Sequence, residues 1–88
     1  MKYSDNTYIL LLRTLQEYTD QSVGELAEQL GYSGAYLSMM IHKARGLTEP
    51  FKANLIALTD HYLGDGSSSV ILLALGVIDT HLKVGGKI

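Results

Sequence analysis

The side chains with potential for chemistry are three histidines, seven basic residues, nine acidic residues and several hydroxyls. His42, His61 and His81 lie nineteen and twenty residues apart, which is not the spacing of metal ligands. Asp60 and His61 are adjacent, so a helix would point them about 100° apart and they would not form a catalytic pair. The chain has no cysteine and no nucleotide-binding, metalloprotease or nucleophile-elbow motif. We therefore predict a protein that is not an enzyme and that needs no metal or cofactor.

Hydroxyls and cations between residues 22 and 52 instead suit contacts to phosphate. Lys43, Arg45 and Lys52 are accompanied there by Glu49, whereas four acids of the first half lie between residues 17 and 28. This asymmetry predicts a mildly positive face. The net charge of −2 and the pI near 5.8 count against it, because affinity for DNA depends strongly on phosphate neutralisation.

The composition is that of one small globular domain. Of the 88 residues, 47% are hydrophobic and 18% are charged, which separates the chain from disordered proteins. The N-terminus lacks a signal-peptide pattern, and the apolar run from Ile9 to Leu12 is too short for a membrane span. The expected location is the cytoplasm.

The segment from Ser22 to Gly46 has the pattern of two short helices joined by a glycine turn. Ser22 and Glu25 have the spacing of a capping box at a helix start. Apolar residues then recur at helical spacing until Gly31, where a helix end favours a residue that tolerates positive φ. Ser33 can cap a second helix with its own apolar face. The pattern predicts a helix-turn-helix at about residues 22–43.

This segment resembles the helix-turn-helix of the lambda-repressor-like proteins, the phage repressor and Cro family, also called XRE-type. Ala27, Gly31 and Leu37 stand where those proteins carry a small residue, a turn glycine and an aliphatic residue. The resemblance covers about residues 6–63. It implies a regulator of transcription, encoded by a phage or another mobile element, that binds double-stranded DNA with its second motif helix in the major groove.

Flanking helices complete the predicted domain, which spans residues 1–64. An apolar stripe runs from Tyr8 to Tyr18, and Thr48-Glu49-Pro50 is a typical helix start. The following apolar face ends at Gly64. The predicted fold is therefore all-α, a four-helix repressor-like domain with a further C-terminal apolar segment.

The resemblance also indicates which side chains would contact DNA. The positions that face base edges are Gly34, Ala35, Ser38 and Met39. None of them is Arg, Lys, Asn or Gln, the usual bidentate readers of bases, so direct readout would be sparse. The other predicted DNA contacts are Ser22, Ser33, Tyr36, His42, Lys43, Arg45 and Lys52. The alternative is a protein-interaction module, an antirepressor or adaptor, that uses the same two helices to bind another regulator.

The C-terminal quarter begins with a predicted linker, residues 65–69, and continues as an apolar segment, residues 70–88. A helix capped by Ser69 over residues 70–82 is favoured, although Val70–Leu75 would also suit a strand. The apolar run ends at Ile78 and is too short to span a bilayer.

This C-terminal segment is apolar on nearly every side, and a single helix on a small domain can bury only one stripe. We therefore predict that it contacts a second protomer. A protein partner, or burial as a fifth core helix, is the alternative. The predicted oligomerisation residues are Val70, Ile71, Leu73, Leu75, Val77 and Ile78.

Overall fold

The computed structural model describes residues 3–42 and 46–85, with side chains described as far as residue 81. The predicted DNA contacts Lys43 and Arg45 lie outside the described residues. The described residues form five helices: α1 (Asp5–Thr19), α2 (Val23–Leu30), α3 (Gly34–His42), α4 (Glu49–Leu63) and α5 (Ser67–Gly85). They include no strand, so the all-α prediction is confirmed, and the strand considered for Val70–Leu75 is wrong.

The first four helices begin where the hydroxyl residues predict. Ser4, Ser22, Ser33 and Thr48 each accept a hydrogen bond at the side-chain oxygen from the backbone N–H three residues later. Glu25 adds the reciprocal bond from the Ser22 N–H, which completes the predicted capping box. These bonds satisfy backbone groups that a helix start otherwise leaves unpaired.

The ends of two helices also follow the prediction. Gly31 closes α2 with a φ of +89°, and Gly64 follows α4 with a φ of +106°. Both values lie in the region that glycine adopts without steric cost. The end of α1 differs, because Asp20 takes the left-handed conformation there, with a φ of +56°.

All five helices contribute to one apolar core, which contains Leu11, Leu12, Leu15, Leu26, Ala27, Leu30, Leu37, Met40, Leu47, Phe51, Leu55 and Leu72. Most of these positions were predicted from helical periodicity. Tyr18 was predicted to belong to the apolar stripe of α1, but it is 62% exposed. It lies in the last turn of α1, where Glu17 and Asp20 are exposed as well, so the buried stripe ends at Leu15.

Helix α5 begins earlier than predicted and packs against α1 and α4. Asp60 on α4 accepts a hydrogen bond of 2.8 Å from the Ser68 N–H, and the Ser67 hydroxyl donates to the Leu63 carbonyl at 2.8 Å. These bonds stabilise the first turn of α5 before Ser69. Residues 67–69 are therefore helical, the predicted cap at Ser69 is wrong, and the connection between α4 and α5 is shorter than the predicted linker.

A buried carboxylate joins α5 to the start of α1. Asp79 is 4% exposed and accepts hydrogen bonds from the Ser4 hydroxyl at 2.7 Å, the Asn6 amide at 2.7 Å and the Thr7 hydroxyl at 3.2 Å. A carboxylate is favoured at this place because the N-terminal end of a helix is electropositive. The cluster therefore fixes one face of α5 against the domain.

Candidate nucleic-acid interface

Helices α2 and α3 are held together by apolar contacts and by a close backbone approach. Leu26, Ala27 and Leu37 are fully buried in the core that the two helices share. A Cβ atom built on Gly34 would lie 3.2 Å from the Cα of Gly24, closer than ordinary van der Waals contact. The first turns of α2 and α3 therefore contact each other through two glycines. The sequence gives no signal for this contact beyond a glycine near the start of each helix.

The exposed face of α3 contains the residues that were predicted to face base edges. Ala35 and Met39 are exposed, whereas Gly34 and Ser38 are half-buried, and His42 continues the same face one turn later. At 100° per residue these five positions share one side of the helix. The opposite side is anchored in the core by Leu37 and Met40.

Tyr36 lies at the edge of this face. It is 40% exposed, and its ring stacks on Tyr32 with centroids 5.5 Å apart and planes 21° apart. The neighbouring Leu37 is the residue that enters the core, where it is fully buried. The Tyr36 side chain is therefore accessible from solvent, and its ring is held in place by stacking on Tyr32.

Lys52 was predicted to contact phosphate, but in the fold its ammonium group is paired with two carboxylates. Its Nζ lies 3.2 Å from a carboxylate oxygen of Asp5 and 3.4 Å from one of Glu49, and the side chain is 16% exposed. The hydrogen bond to Asp5 raises the pKa of Lys52 above its ordinary value. The ammonium also lies 5.2 Å from the centroid of the Tyr8 ring. The expectation that Glu49 is the only nearby acid is therefore wrong, and Lys52 connects α1 to α4.

Ser22 and Ser33 are exposed at the starts of α2 and α3. Each hydroxyl oxygen accepts its capping bond, so the O–H group still has a proton to donate. Helix starts favour anions, and the close approach of Gly24 and Gly34 brings the two starts together.

The start of α2 also borders an open, polar groove of about 600 Å³. Its lining is Arg13, Gln16, Glu17, Asp20, Gln21, Ser22 and Glu25. Three of these seven side chains are carboxylates and one is a cation. A phosphate at Ser22 would meet repulsion from this side, so Ser33 and the start of α3 are the more favourable position for an anion.

The described residues of the α3 face include no Asp, Glu, Lys or Arg with which to bind a charged partner. They provide one hydroxyl at Ser38, an imidazole at His42 and a thioether at Met39. Ala35 is small enough for another surface to approach the helix backbone closely, whereas Gly34 is in contact with Gly24 of α2. The face therefore suits shape and apolar contacts with few hydrogen bonds.

The chain matches no protein-family model, no curated protein and no solved structure in comparisons with known proteins.

Within residues 3–42 and 46–85, no three His, Asp or Glu side chains are grouped so that they could hold a metal ion. No single helix of the described chain is long and apolar enough to cross a membrane. Glu49–Leu63 and Ser67–His81 pass that test only as a pair, which is bent by 114°. What can be inferred of function comes from the residues of α2 and α3 themselves.

Proposed function

We propose that this protein is a sequence-specific DNA-binding regulator of transcription, in which α2 and α3 act as a repressor-like helix-turn-helix. The observation that carries the proposal is the side of α3 on which Ala35, Met39 and His42 are exposed. It lies opposite the buried residues Leu37 and Met40, which anchor the helix. The major groove of B-DNA is about 12 Å wide and admits one α-helix. A helix pair of this kind places the second helix in that groove.

The side chains define how α3 would read a groove. The small side chain of Ala35, which is exposed, permits a close approach of the helix backbone to the base pairs. Met39 offers an apolar contact to thymine methyl groups, and Ser38 can donate or accept one hydrogen bond. Since bidentate readers are missing, much of the specificity would come from phosphate contacts and from the shape of the DNA.

Phosphate contacts would come from the helix starts and the rim of α3. The Ser33 hydroxyl and the free N–H groups at the start of α3 are the best-placed donors, and the Tyr36 hydroxyl lies at the rim. Lys52 would support binding only indirectly, by stabilising the fold, because its ammonium is already paired with Asp5 and Glu49. Binding of this kind, in the cytoplasm of a host cell, would repress transcription by occluding an operator.

Retention of genomic DNA fragments by the purified protein, at about 50 mM and about 200 mM salt, tests the proposal. We expect enrichment of one short sequence, which weakens at the higher salt. Ala35→Glu places a carboxylate on the exposed face of α3 and should lower the affinity at least about tenfold through repulsion of phosphates and base acceptors.

Ala53→Glu is the matched control, since Ala53 is also exposed but lies on α4. It introduces the same charge and should leave the enriched sequence unchanged with only a small loss of affinity. No enrichment at about 50 mM salt, or equal loss in the two variants, would show that α3 does not enter DNA.

The second candidate is a protein-interaction module, an antirepressor or adaptor. It is favoured by the uncharged α3 face, where Tyr36 is 40% and Met39 41% exposed, and by the compensation of Lys52. In that case DNA retention is absent. A purified regulator would instead bind the wild-type chain and Ala53→Glu, but would not bind Met39→Glu.

A further inference from the structure

Helix α5 has one face fixed in the domain and an opposite face that is apolar and exposed. Leu72 and Asp79 on the inner face are each 4% exposed. We use the name α5 stripe for the outer residues Val70, Leu73, Ala74, Val77, Ile78 and His81. Exposure in this stripe reaches 70% at Val70, 54% at Leu73, 63% at Val77 and 49% at Ile78.

This arrangement divides the predicted oligomerisation residues into two sets. Ile71 and Leu75 are partly buried against the core, so they offer less surface to a partner. Val70, Leu73, Val77 and Ile78 remain on the outer surface. The available face is therefore narrower than predicted, and it is a single seam along the helix.

Within the α5 stripe, Val70, Ala74, Val77 and His81 follow one another at steps of four, three and four residues, which is the spacing of the seam of a helix that packs on another helix. No Asp, Glu, Lys or Arg interrupts the stripe over its roughly three turns. We propose that a second copy of this chain packs on the α5 stripe, with the two α5 helices antiparallel.

The stripe is self-complementary in that orientation. With the two-fold axis between Leu75 and Gly76, Leu73 lies opposite Ile78 of the partner subunit, and Ala74 lies opposite Val77 of the partner subunit. The small Ala74 side chain leaves room for the valine. Antiparallel helices also place the positive end of each helix dipole beside the negative end of the other.

The exposed area agrees with this occupant. The four large apolar residues of the stripe expose on the order of 400 Å², which lies within the range of the largest apolar patch on a typical monomer. With Ser69, Ala74, Thr80 and His81 at the margins, two copies would bury roughly 1,000–1,200 Å², near the lower limit of specific interfaces. The dimer does not depend on DNA binding, so its test stands if the proposed function fails.

Sedimentation equilibrium of the full chain between about 5 and 500 µM tests the association. We expect a monomer–dimer equilibrium for the wild type. Leu73→Glu/Val77→Glu should be monomeric throughout, with an unchanged helical circular dichroism spectrum. Tyr18→Glu is the matched control, because Tyr18 is a 62% exposed apolar residue outside α5, and it should dimerise like the wild type.

A wild-type monomer at about 500 µM, or a dimer that survives Leu73→Glu/Val77→Glu, would overturn the proposal. Flotation with neutral phosphatidylcholine vesicles tests the other possible occupant of the stripe, a lipid surface. A chain that stays monomeric but binds these vesicles through Leu73 and Val77 would show that the stripe meets lipid instead of a second copy.

The register is testable because the chain contains no cysteine. In the antiparallel pair, two copies of residue 74 are offset by about 5 Å along the helix axis, whereas two copies of residue 70 are offset by about 16 Å. A short bismaleimide should therefore link Ala74→Cys dimers and leave Val70→Cys largely unlinked. Equal linking of the two variants would overturn the antiparallel arrangement.

Discussion

Asp79 is the residue on which the attachment of α5 depends. Its carboxylate is buried and accepts hydrogen bonds from Ser4, Asn6 and Thr7 at the start of α1. Each of these donors would lose a partner if the carboxylate were removed. A buried polar group left unpaired is more costly than the average hydrogen bond is favourable.

Replacing this carboxylate should therefore be strongly destabilising. We expect Asp79→Ala to lower the free energy of unfolding by about 2–4 kcal/mol, because the buried Thr7 hydroxyl and the partly buried Ser4 hydroxyl lose their acceptor. Urea unfolding followed by circular dichroism measures this change. Thr80→Ala is the control, since Thr80 is exposed on the same helix, and it should change stability by less than about 0.5 kcal/mol. Equal effects of the two substitutions would contradict the role given to Asp79.

Asp20 is a second residue whose conformation has an energetic consequence. It ends α1 in the left-handed region, with a φ of +56°, and places a carboxylate at the negative end of the helix dipole. Asn tolerates the same backbone conformation without the charge. We expect Asp20→Asn to stabilise the fold by about 0.5 kcal/mol and to raise Tm by roughly 2–4 °C. Asp65→Asn, which changes an exposed aspartate just before the positive end of α5, should not raise Tm in the same thermal scans.

Among the helices, the accuracy of the sequence prediction follows the range of the interactions involved. The starts of α2, α3 and α4 depend on bonds between residues three apart, so Ser22, Ser33 and Thr48 identify them directly. The start of α5 depends on Asp60, which belongs to another helix, and it was placed too late. The exposed face of α3 was predictable because helical periodicity assigns Leu37 and Met40 to the opposite side.

The contact between α2 and α3 gives a prediction for two glycines with opposite outcomes. A Cβ on Gly34 would lie 3.2 Å from Gly24 backbone, whereas a Cβ on Gly24 meets only the Ser22 hydroxyl at 3.8 Å. We expect Gly34→Ala to destabilise the fold by about 0.5–1 kcal/mol, because the helices must move apart. Gly24→Ala should instead stabilise it by up to about 0.5 kcal/mol through higher helix propensity.

Chemical unfolding of the two variants side by side decides this point. A Gly34→Ala protein that is more stable than the wild type would show that the helices are not in close contact there. The pair also links packing to function, because a shift of α3 moves the face that we propose enters DNA. Gly34→Ala should accordingly weaken DNA retention, and Gly24→Ala should not.

The whole molecule is held together partly by ionised carboxylates that join neighbouring elements. Asp5 at the start of α1 accepts a hydrogen bond of 2.9 Å from the Leu47 N–H and pairs with Lys52 on α4. Asp60 on α4 accepts the hydrogen bond from Ser68 on α5. Asp5 is 42 positions from Leu47 and 47 positions from Lys52, so these pairings depend on tertiary packing and leave no local pattern in the sequence. From the sequence, Lys52 was therefore expected to be free to contact phosphate.

These carboxylates predict how stability depends on pH. The backbone hydrogen bond from Leu47 lowers the pKa of Asp5, that from Ser22 lowers the pKa of Glu25, and that from Ser68 lowers the pKa of Asp60. A carboxylate whose pKa is lower in the folded state binds protons more weakly there than in the unfolded chain. Its stabilising effect is therefore complete above the ordinary values of 3.8 for Asp and 4.5 for Glu, and it is lost as the pH falls through the folded pKa.

Thermal unfolding followed by circular dichroism between about pH 7 and pH 2.5 measures this dependence. We expect a Tm that is steady near neutral pH and falls progressively below about pH 5. Asp5→Asn/Asp60→Asn removes two of the three groups, so its Tm should start lower and decline less steeply with acid. Lys52 predicts a loss of stability at alkaline pH, because its pKa is raised in the folded state. The stabilising effect of Lys52 is present below the ordinary value of 10.5 and is lost as the pH rises through the folded pKa. A Tm that stays constant down to pH 2.5 would mean that the bonds to Leu47, Ser22 and Ser68 do not hold the helices in solution.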